Sequence, residues 1–220
     1  MEDTLKHQAL RKKLVDFLKE KGIKNMAVLQ AIGSVPRHLF MDSAFLMKFA
    51  YEDKAFEIGE GQTISQPYTV AYQSELLEVR KGDNIFEVGT GSGYQSAVLS
   101  AMGAKVFSIE RHKKLNERAQ NLLKELKCNV KCFYGDGYKG LPAFAPFDRI
   151  IVTAAAPYVP EPLLEQLKPN GILVIPVGEG QVQIMKKIKK LPDGKFTITE
   201  YGNFSFVPML KATDWNNKTN

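Results

Sequence analysis

Near its start the chain repeats apolar residues at helical spacing. Leu5, Leu10, Leu14, Phe17 and Leu18 share one side of residues 4–21, with charged residues between them, and Gly22 ends the run. A second, shorter helix is expected over Met26–Ile32. In GSVPRHLF, Pro36 then disfavours helix at Val35 and turns the chain. Residues 1–55 therefore read as a helical preface.

From Asp83 the pattern changes. NIFEVG, AKVFSIE, VKCFYGD, FDRIIVTA and GILVIPVG are apolar runs of strand length. Helices fit between them at Tyr94–Met102 and His112–Lys127, the second with Leu115, Ala119, Leu122, Leu123 and Leu126 on one side. Such alternation predicts an α/β fold with right-handed crossovers and a mostly parallel sheet, helices covering both faces. Further on, QVQIMKKIKK and KFTITEYGNFSF flank a Pro-Asp-Gly turn. They predict two antiparallel strands that make the sheet mixed, with alternate lysines guarding its edge. The expected organisation is one domain over residues 1–220. It comprises the preface, a cofactor-binding core at 56–178, the edge strands at 179–210 and a tail at 211–220, in which DWNNKTN is expected to be loose.

Composition alters this picture little. The 220 residues are 44% hydrophobic and 25% charged, enough for a core that needs no disulfide or metal staple. Cys128 and Cys132 are the two cysteines, and His7, His38 and His112 are scattered along the chain. That is too few ligands for a structural zinc site, so no metal is expected and the thiols read as reduced neighbours on one strand. The net charge of +6 permits attraction to anions without establishing it, and the lysines read as solvated faces, which makes nucleic acid an unfavoured partner. The start of the chain lacks an apolar run fit for a signal peptide, and no stretch approaches the ~18–20 apolar residues of a membrane span. A cytoplasmic protein is expected.

The chemistry gathers at the carboxyl ends of the predicted strands, where doubly wound sheets bind ligands. FEVGTGSGYQ places Gly89, Gly91 and Gly93 after the first core strand, where glycine permits a sharp turn and close approach of a ligand. The spacing departs from the dinucleotide fingerprint, because Tyr94 stands where its third glycine belongs. Glu87, just before the loop, would repel a pyrophosphate and suit a cationic amino-acid group. Glu110 ends the second strand, and its oxygens suit the two hydroxyls of a ribose. Asp136 and Gly137 end the third, where a carboxylate could accept from an adenine amino group. Acids at three successive strand ends favour S-adenosylmethionine over NAD.

These stretches resemble the protein-L-isoaspartate O-methyltransferase family. The similarity runs through VPRHLF, AYEDKAFEIGEGQTISQPYTVA, EVGTGSGYQSAVLS, FSIER, GDGYKGLPAFAPFDRIIVTAAAP, LKPNGILVIPVG and FVPML. Before VPRHLF the match is one of general character, and family tails vary after FVPML. The resemblance implies a Rossmann-like methyltransferase fold using S-adenosylmethionine. It implies methylation of the free α-carboxylate of L-isoaspartyl residues in damaged proteins, the opening step of a repair route through a succinimide. By the same resemblance Ser65, the serine of TISQP, is the active-site residue, and Arg111 of FSIER joins the cofactor-binding set.

The segment GQTISQPYTVA carries no charged group to activate a nucleophile. A carboxylate acceptor explains this, because with a reference pKa of about 3.5–4 it is ionised at pH 7 and needs no general base. Gln62, Thr63 and Ile64 are expected to line the path between donor and Ser65, and Ser65 is also a candidate cap for a helix starting near Pro67. Thr153–Pro157, VTAAAP, lacks the Asp/Asn-Pro-Pro-aromatic motif of enzymes that methylate adenine or glutamine amino groups. SFVPML is a candidate edge for main-chain binding of a flexible peptide, and Arg37 and His38 are expected to be structural. A monomer suits a site that must admit varied chains. The alternative substrate class is RNA or a small molecule.

Overall fold

The computed structural model describes residues 3–41 and 48–213, so Asp214–Asn220, expected to be loose, lie outside the described residues. Helix α1, Leu5–Glu20, begins where the Thr4 hydroxyl accepts from the His7 amide, and stops before Gly22, whose φ is +97°. It buries Leu14 and Leu18. Helix α2, Met26–Ser34, is capped by Asn25, whose side chain accepts from the amides of Ala27 and Val28. It ends where Val35 turns extended before Pro36.

A feature absent from the sequence reading follows. Strands β1 (Phe56–Gly59) and β2 (Gln62–Ile64) form a small antiparallel hairpin. Its turn needs positive φ at Gly59, Glu60 and Gly61. Helix α3, Pro67–Leu76, comes next. The main sheet then alternates β3 (Asn84–Val88), α4 (Tyr94–Ala101), β4 (Lys105–Glu110), α5 (Lys113–Glu125), β5 (Val130–Tyr134), β6 (Phe147–Val152), α6 (Glu161–Glu165) and β7 (Leu167–Val177). Strands β8 (Gln183–Lys190) and β9 (Phe196–Phe204) complete it.

The strand order is β5-β4-β3-β6-β7-β8-β9, parallel through β7 and antiparallel for the last two. Order reverses beside β3, so the switch point opens at the carboxyl ends of β3, β4 and β6. Side chains alternate across the sheet. Phe86, Val88, Phe107, Ile109, Ile150 and Val152 meet the α6 side, while Ile85, Val106, Ile151 and Val174 meet Leu76, Leu77 and Leu99. The preface is fastened to this body: Leu18, Val28 and Ile32 share one cluster with Val70, Ala97 and Leu123.

One expectation about the sheet's edge is overturned. The lysines Lys186, Lys187, Lys189 and Lys190 lie on β8, which is covered, whereas the outermost strand β9 has Glu200 as its single charged residue. The charges are used inward: Lys186 pairs with Glu200, and Lys190 donates to the carbonyls of Leu164 and Leu167. Of the two cysteines, Cys132 is on β5 and Cys128 precedes it, both as free thiols.

Candidate active site

The loop between β3 and α4 is held in place by backbone geometry. Gly89 has a φ of +97°, and a Cβ there would meet the Thr153 hydroxyl at 2.6 Å. That hydroxyl sits 2.7 Å from the Gly89 carbonyl and 3.0 Å from that of Val88, tying the loop to the end of β6. The Gly91 amide donates to one oxygen of Glu110 at 2.9 Å, and the His112 amide to the other at 2.9 Å. The two bonds fix the Glu110 carboxylate at the end of β4 and leave it acceptor capacity.

Nine of the expected residues converge on one cleft. Gln62, Thr63, Ile64, Ser65, Gly89, Gly91 and Glu110 line its first part with Gln95. Gln62, Gly89 and Glu110 continue into a second part with Arg111, Gly137 and Met209. Each part holds about 50 Å³. A nucleoside-sized ligand needs a site of roughly 300 Å³ or more.

Three expected contacts lie away from the cleft lining. Glu87 is wholly buried and absent from the cleft lining. It sits opposite Ser108 in the β3–β4 register and accepts hydrogen bonds from Ser96 and from Ser108, the latter at 2.7 Å. With its proton given to Glu87, Ser108 accepts from Thr90 at 2.6 Å, so Glu87 braces the glycine loop from beneath. Burial pushes its carboxyl up to about 7, against the two serine donors, with the nearby Glu110 charge adding to the rise. Gly93 also faces away from the cleft: it starts α4 at φ +88°, and a Cβ there would meet Leu123 at 3.1 Å. Asp136 accepts from the amides of Tyr138 and Ala212, at 3.0 and 3.1 Å, and leaves the cleft wall to Gly137. Arg111 does reach the wall, donating to the Ala212 carbonyl at 3.1 Å.

Ser65 stands where this cleft meets a second, larger cavity of about 500 Å³. Thr63, Ser65, Thr153 and Val207 line both. The larger cavity is walled by Tyr68, Thr69 and Tyr72 of α3 and by Gly202–Val207, and among the described residues no charged side chain lines it. The expected capping role of Ser65 is not observed. Gln66 occupies the cap position without a side-chain bond, and Asp53 accepts from the Tyr68 amide at 2.7 Å instead. Pro67 is the first helical residue, as expected.

SFVPML pairs with the chain after β6 rather than offering a free edge along its length. Ala155 donates to the Val207 carbonyl and accepts from the Met209 amide, at 2.8 and 2.7 Å. Ser205, Phe206 and Val207 still face the larger cavity. Arg37 is buried, donates to the carbonyls of Ala50 and Lys54, and lies 4.7 Å from the Tyr94 ring, as a structural residue would. Two histidines distant in sequence meet in space: the rings of His7 and His38 stack at 3.8 Å, with Asp3 close by. The Asp3 carboxylate forms a two-pronged pair with Arg11, and His38 Nδ1 lies 2.8 Å from the Tyr51 hydroxyl.

Sequence reasoning missed Gln95, Tyr68, Tyr72 and Phe204 as site residues. The spacing of Tyr68 and Tyr72, one helical turn apart, was the available signal; nothing local marked Phe204.

A switch-point cleft built from a glycine loop and an acid at the next strand end is a Rossmann-like site for a nucleotide-type cofactor, which in the methyltransferases of this fold is S-adenosylmethionine. The donor set fits that cofactor here, since two buried polar atoms at the cleft, Gln95 Oε1 and Arg111 Nη2, have no hydrogen-bond partner among the described residues. A sequence model of the protein-L-isoaspartate(D-aspartate) O-methyltransferase family matches residues 8–214, and the chain belongs to that family. The protein-L-isoaspartate O-methyltransferase of Cytophaga hutchinsonii is 54% identical, over 100% of this chain and 99% of its own. That of Flavobacterium johnsoniae is 57% identical over 96% and 99%. Among solved structures, a protein-L-isoaspartate O-methyltransferase superimposes with a TM-score of 0.82 at 31% identity, over 90% of this chain and 65% of that longer one. A Plasmodium falciparum protein described as a putative member, in complex with S-adenosyl-L-homocysteine, gives 0.80 at 28% identity over 91% and 98%.

Proposed function

We propose that this chain is a repair methyltransferase acting on the free α-carboxylate of L-isoaspartyl residues in damaged proteins and peptides. The observation that carries this reading is the junction at Ser65 between a cofactor cleft and a cavity without charged lining among the described residues. S-Adenosylmethionine supplies an electrophilic methyl group on a sulfonium. Glu110 holds the ribose end of the cleft, and Gln62, Thr63 and Ile64 form its wall toward Ser65. The Ser65 hydroxyl orients the acceptor carboxylate, which arrives already ionised, so that no side chain removes a proton. A neutral cavity also avoids binding that carboxylate too tightly as its charge falls during transfer. Alignment and exclusion of water can then supply roughly 7–11 kcal/mol of the barrier.

The chain acts as one domain and as a monomer in the cytoplasm. No helix among the described residues is long and apolar enough to cross a membrane, and a monomer suits a site that must admit varied chains. Incubation with radiolabelled S-adenosylmethionine tests the reading against matched peptides carrying L-isoaspartate, L-aspartate or asparagine, and against RNA. Base-labile label on the isoaspartyl peptide alone is the expected result. Label on RNA alone overturns it.

A further inference from the structure

Strand β9 is the outermost strand of the main sheet and runs nine residues, Phe196–Phe204, or about 30 Å. Sheet edges in soluble proteins are usually blunted by lysines, prolines or cover, because a row of unpaired amides and carbonyls invites another chain. Among the described residues this edge has none of those devices. FTITEYGNF contains no lysine and no proline, its one charge is paired inward with Lys186, and no described strand pairs with its outer side. Ile198 is 57% exposed. The same strand leads to the site: Gly202, Asn203 and Phe204, its last three residues, line the cavity at Ser65.

The geometry points to β9 as the docking edge for the substrate's main chain, an extended flank of the damaged polypeptide adding beside Phe196–Tyr201 as an eighth strand. This rests on the proposed reaction at Ser65. Strand addition reads amides and carbonyls, which every sequence provides, so it suits an enzyme whose targets share a lesion and no motif. The lesion itself supports the arrangement. An isoaspartyl linkage adds one carbon to the backbone and breaks the two-residue repeat that a ladder needs. Pairing must therefore stop at the damaged residue, and β9 stops where the cavity begins.

The test uses the full-length protein with S-adenosylmethionine and isoaspartyl peptides whose flanks are lengthened stepwise on one side or the other. A second series carries a single N-methyl amide moved along each flank. The expected result is a KM that falls with length on one flank only. On that flank N-methylation raises KM roughly five-fold at every second position, with kcat at saturation unchanged. A KM independent of flank length, or insensitive to N-methylation in any alternating pattern, overturns the docking edge. So does sedimentation showing that β9 is taken up by a second copy of the chain. Failure of the underlying reaction would look different: no methyl transfer to any isoaspartyl peptide, whatever its flanks.

Discussion

Asp53 caps a helix that begins fourteen residues after it: its carboxylate accepts the Tyr68 amide hydrogen at 2.7 Å. The loop bearing Asp53 is itself clamped by buried Arg37, which donates to the carbonyls of Ala50 and Lys54 and faces the Tyr94 ring behind the glycine loop. The start of α3, and with it Ser65, is thereby referenced to the cofactor loop. Asp53→Ala should lower stability by about 1 kcal/mol, as loss of a helix cap does. It should also lower kcat, because Ser65 loses its fixed position. Asp53→Asn keeps an acceptor oxygen and should restore most of both, measured by urea unfolding and by steady-state kinetics.

Ser65→Ala is expected to reduce kcat by up to about 100-fold, the scale on which misplacement of a reacting group acts. The affinity for S-adenosylhomocysteine should stay within a few-fold, since Ser65 touches the cleft only at its junction with the larger cavity. Calorimetry and single-turnover rates separate the two effects. Wild-type turnover would show that Ser65 has no part in orienting the acceptor.

Glu110→Ala should do the opposite. It removes the proposed ribose acceptor and leaves the Gly91 and His112 amides without their partner. Loss of charged hydrogen bonds worth about 1.5–3 kcal/mol predicts a dissociation constant for S-adenosylhomocysteine raised roughly 10- to 100-fold. At saturating cofactor, kcat should remain within a few-fold.

Glu87 gives the fold a pH dependence of definite sign. Its carboxyl ordinarily titrates near 4.5 and is pushed up to about 7 by burial. Below the lower value both folded and unfolded chains hold the proton, and nothing is lost. Between the two, the unfolded chain ionises while the folded one keeps its proton, so stability falls as pH rises and levels off above about 7. Glu87→Gln removes this decline. The stability difference between variant and wild type should grow from pH 5 to pH 8 by an amount on the order of 3 kcal/mol, read from urea unfolding at each pH. A constant difference would count against a proton on Glu87.

Much of this was legible in the sequence because period and punctuation agreed: every core strand but β6 ran into a glycine or an acid, and each long helix had an apolar side. The β1–β2 hairpin was not legible, since Gln62–Ile64 is three residues long and its turn uses Glu60 at positive φ, a position no local rule assigns to glutamate. Site geometry was half visible. Glu110 and Gly89 could be placed because they end strands. Glu87 and Asp136 also end strands, yet Glu87 is buried beneath the loop against Ser96 and Ser108, and Asp136 fastens the tail at Ala212. Which partner a buried carboxylate meets depends on the neighbouring strand's register, as Ser108 opposite Glu87 shows. The lysines of β8 were misjudged for a related reason: residues in a hairpin do not reveal which of its two strands lies outermost.

The chain from Val207 to Leu210 borders both compartments, Val207 at the junction with the larger cavity and Pro208–Leu210 at the cofactor cleft, and it is anchored between them through Ala155. Ligands in the two compartments would share that short strap as a common wall. Whatever cofactor occupancy does to peptide affinity, peptide occupancy must do to cofactor affinity by the same factor. A single stretch of backbone thus gives the two sites a shared wall through which such a reciprocal coupling can pass.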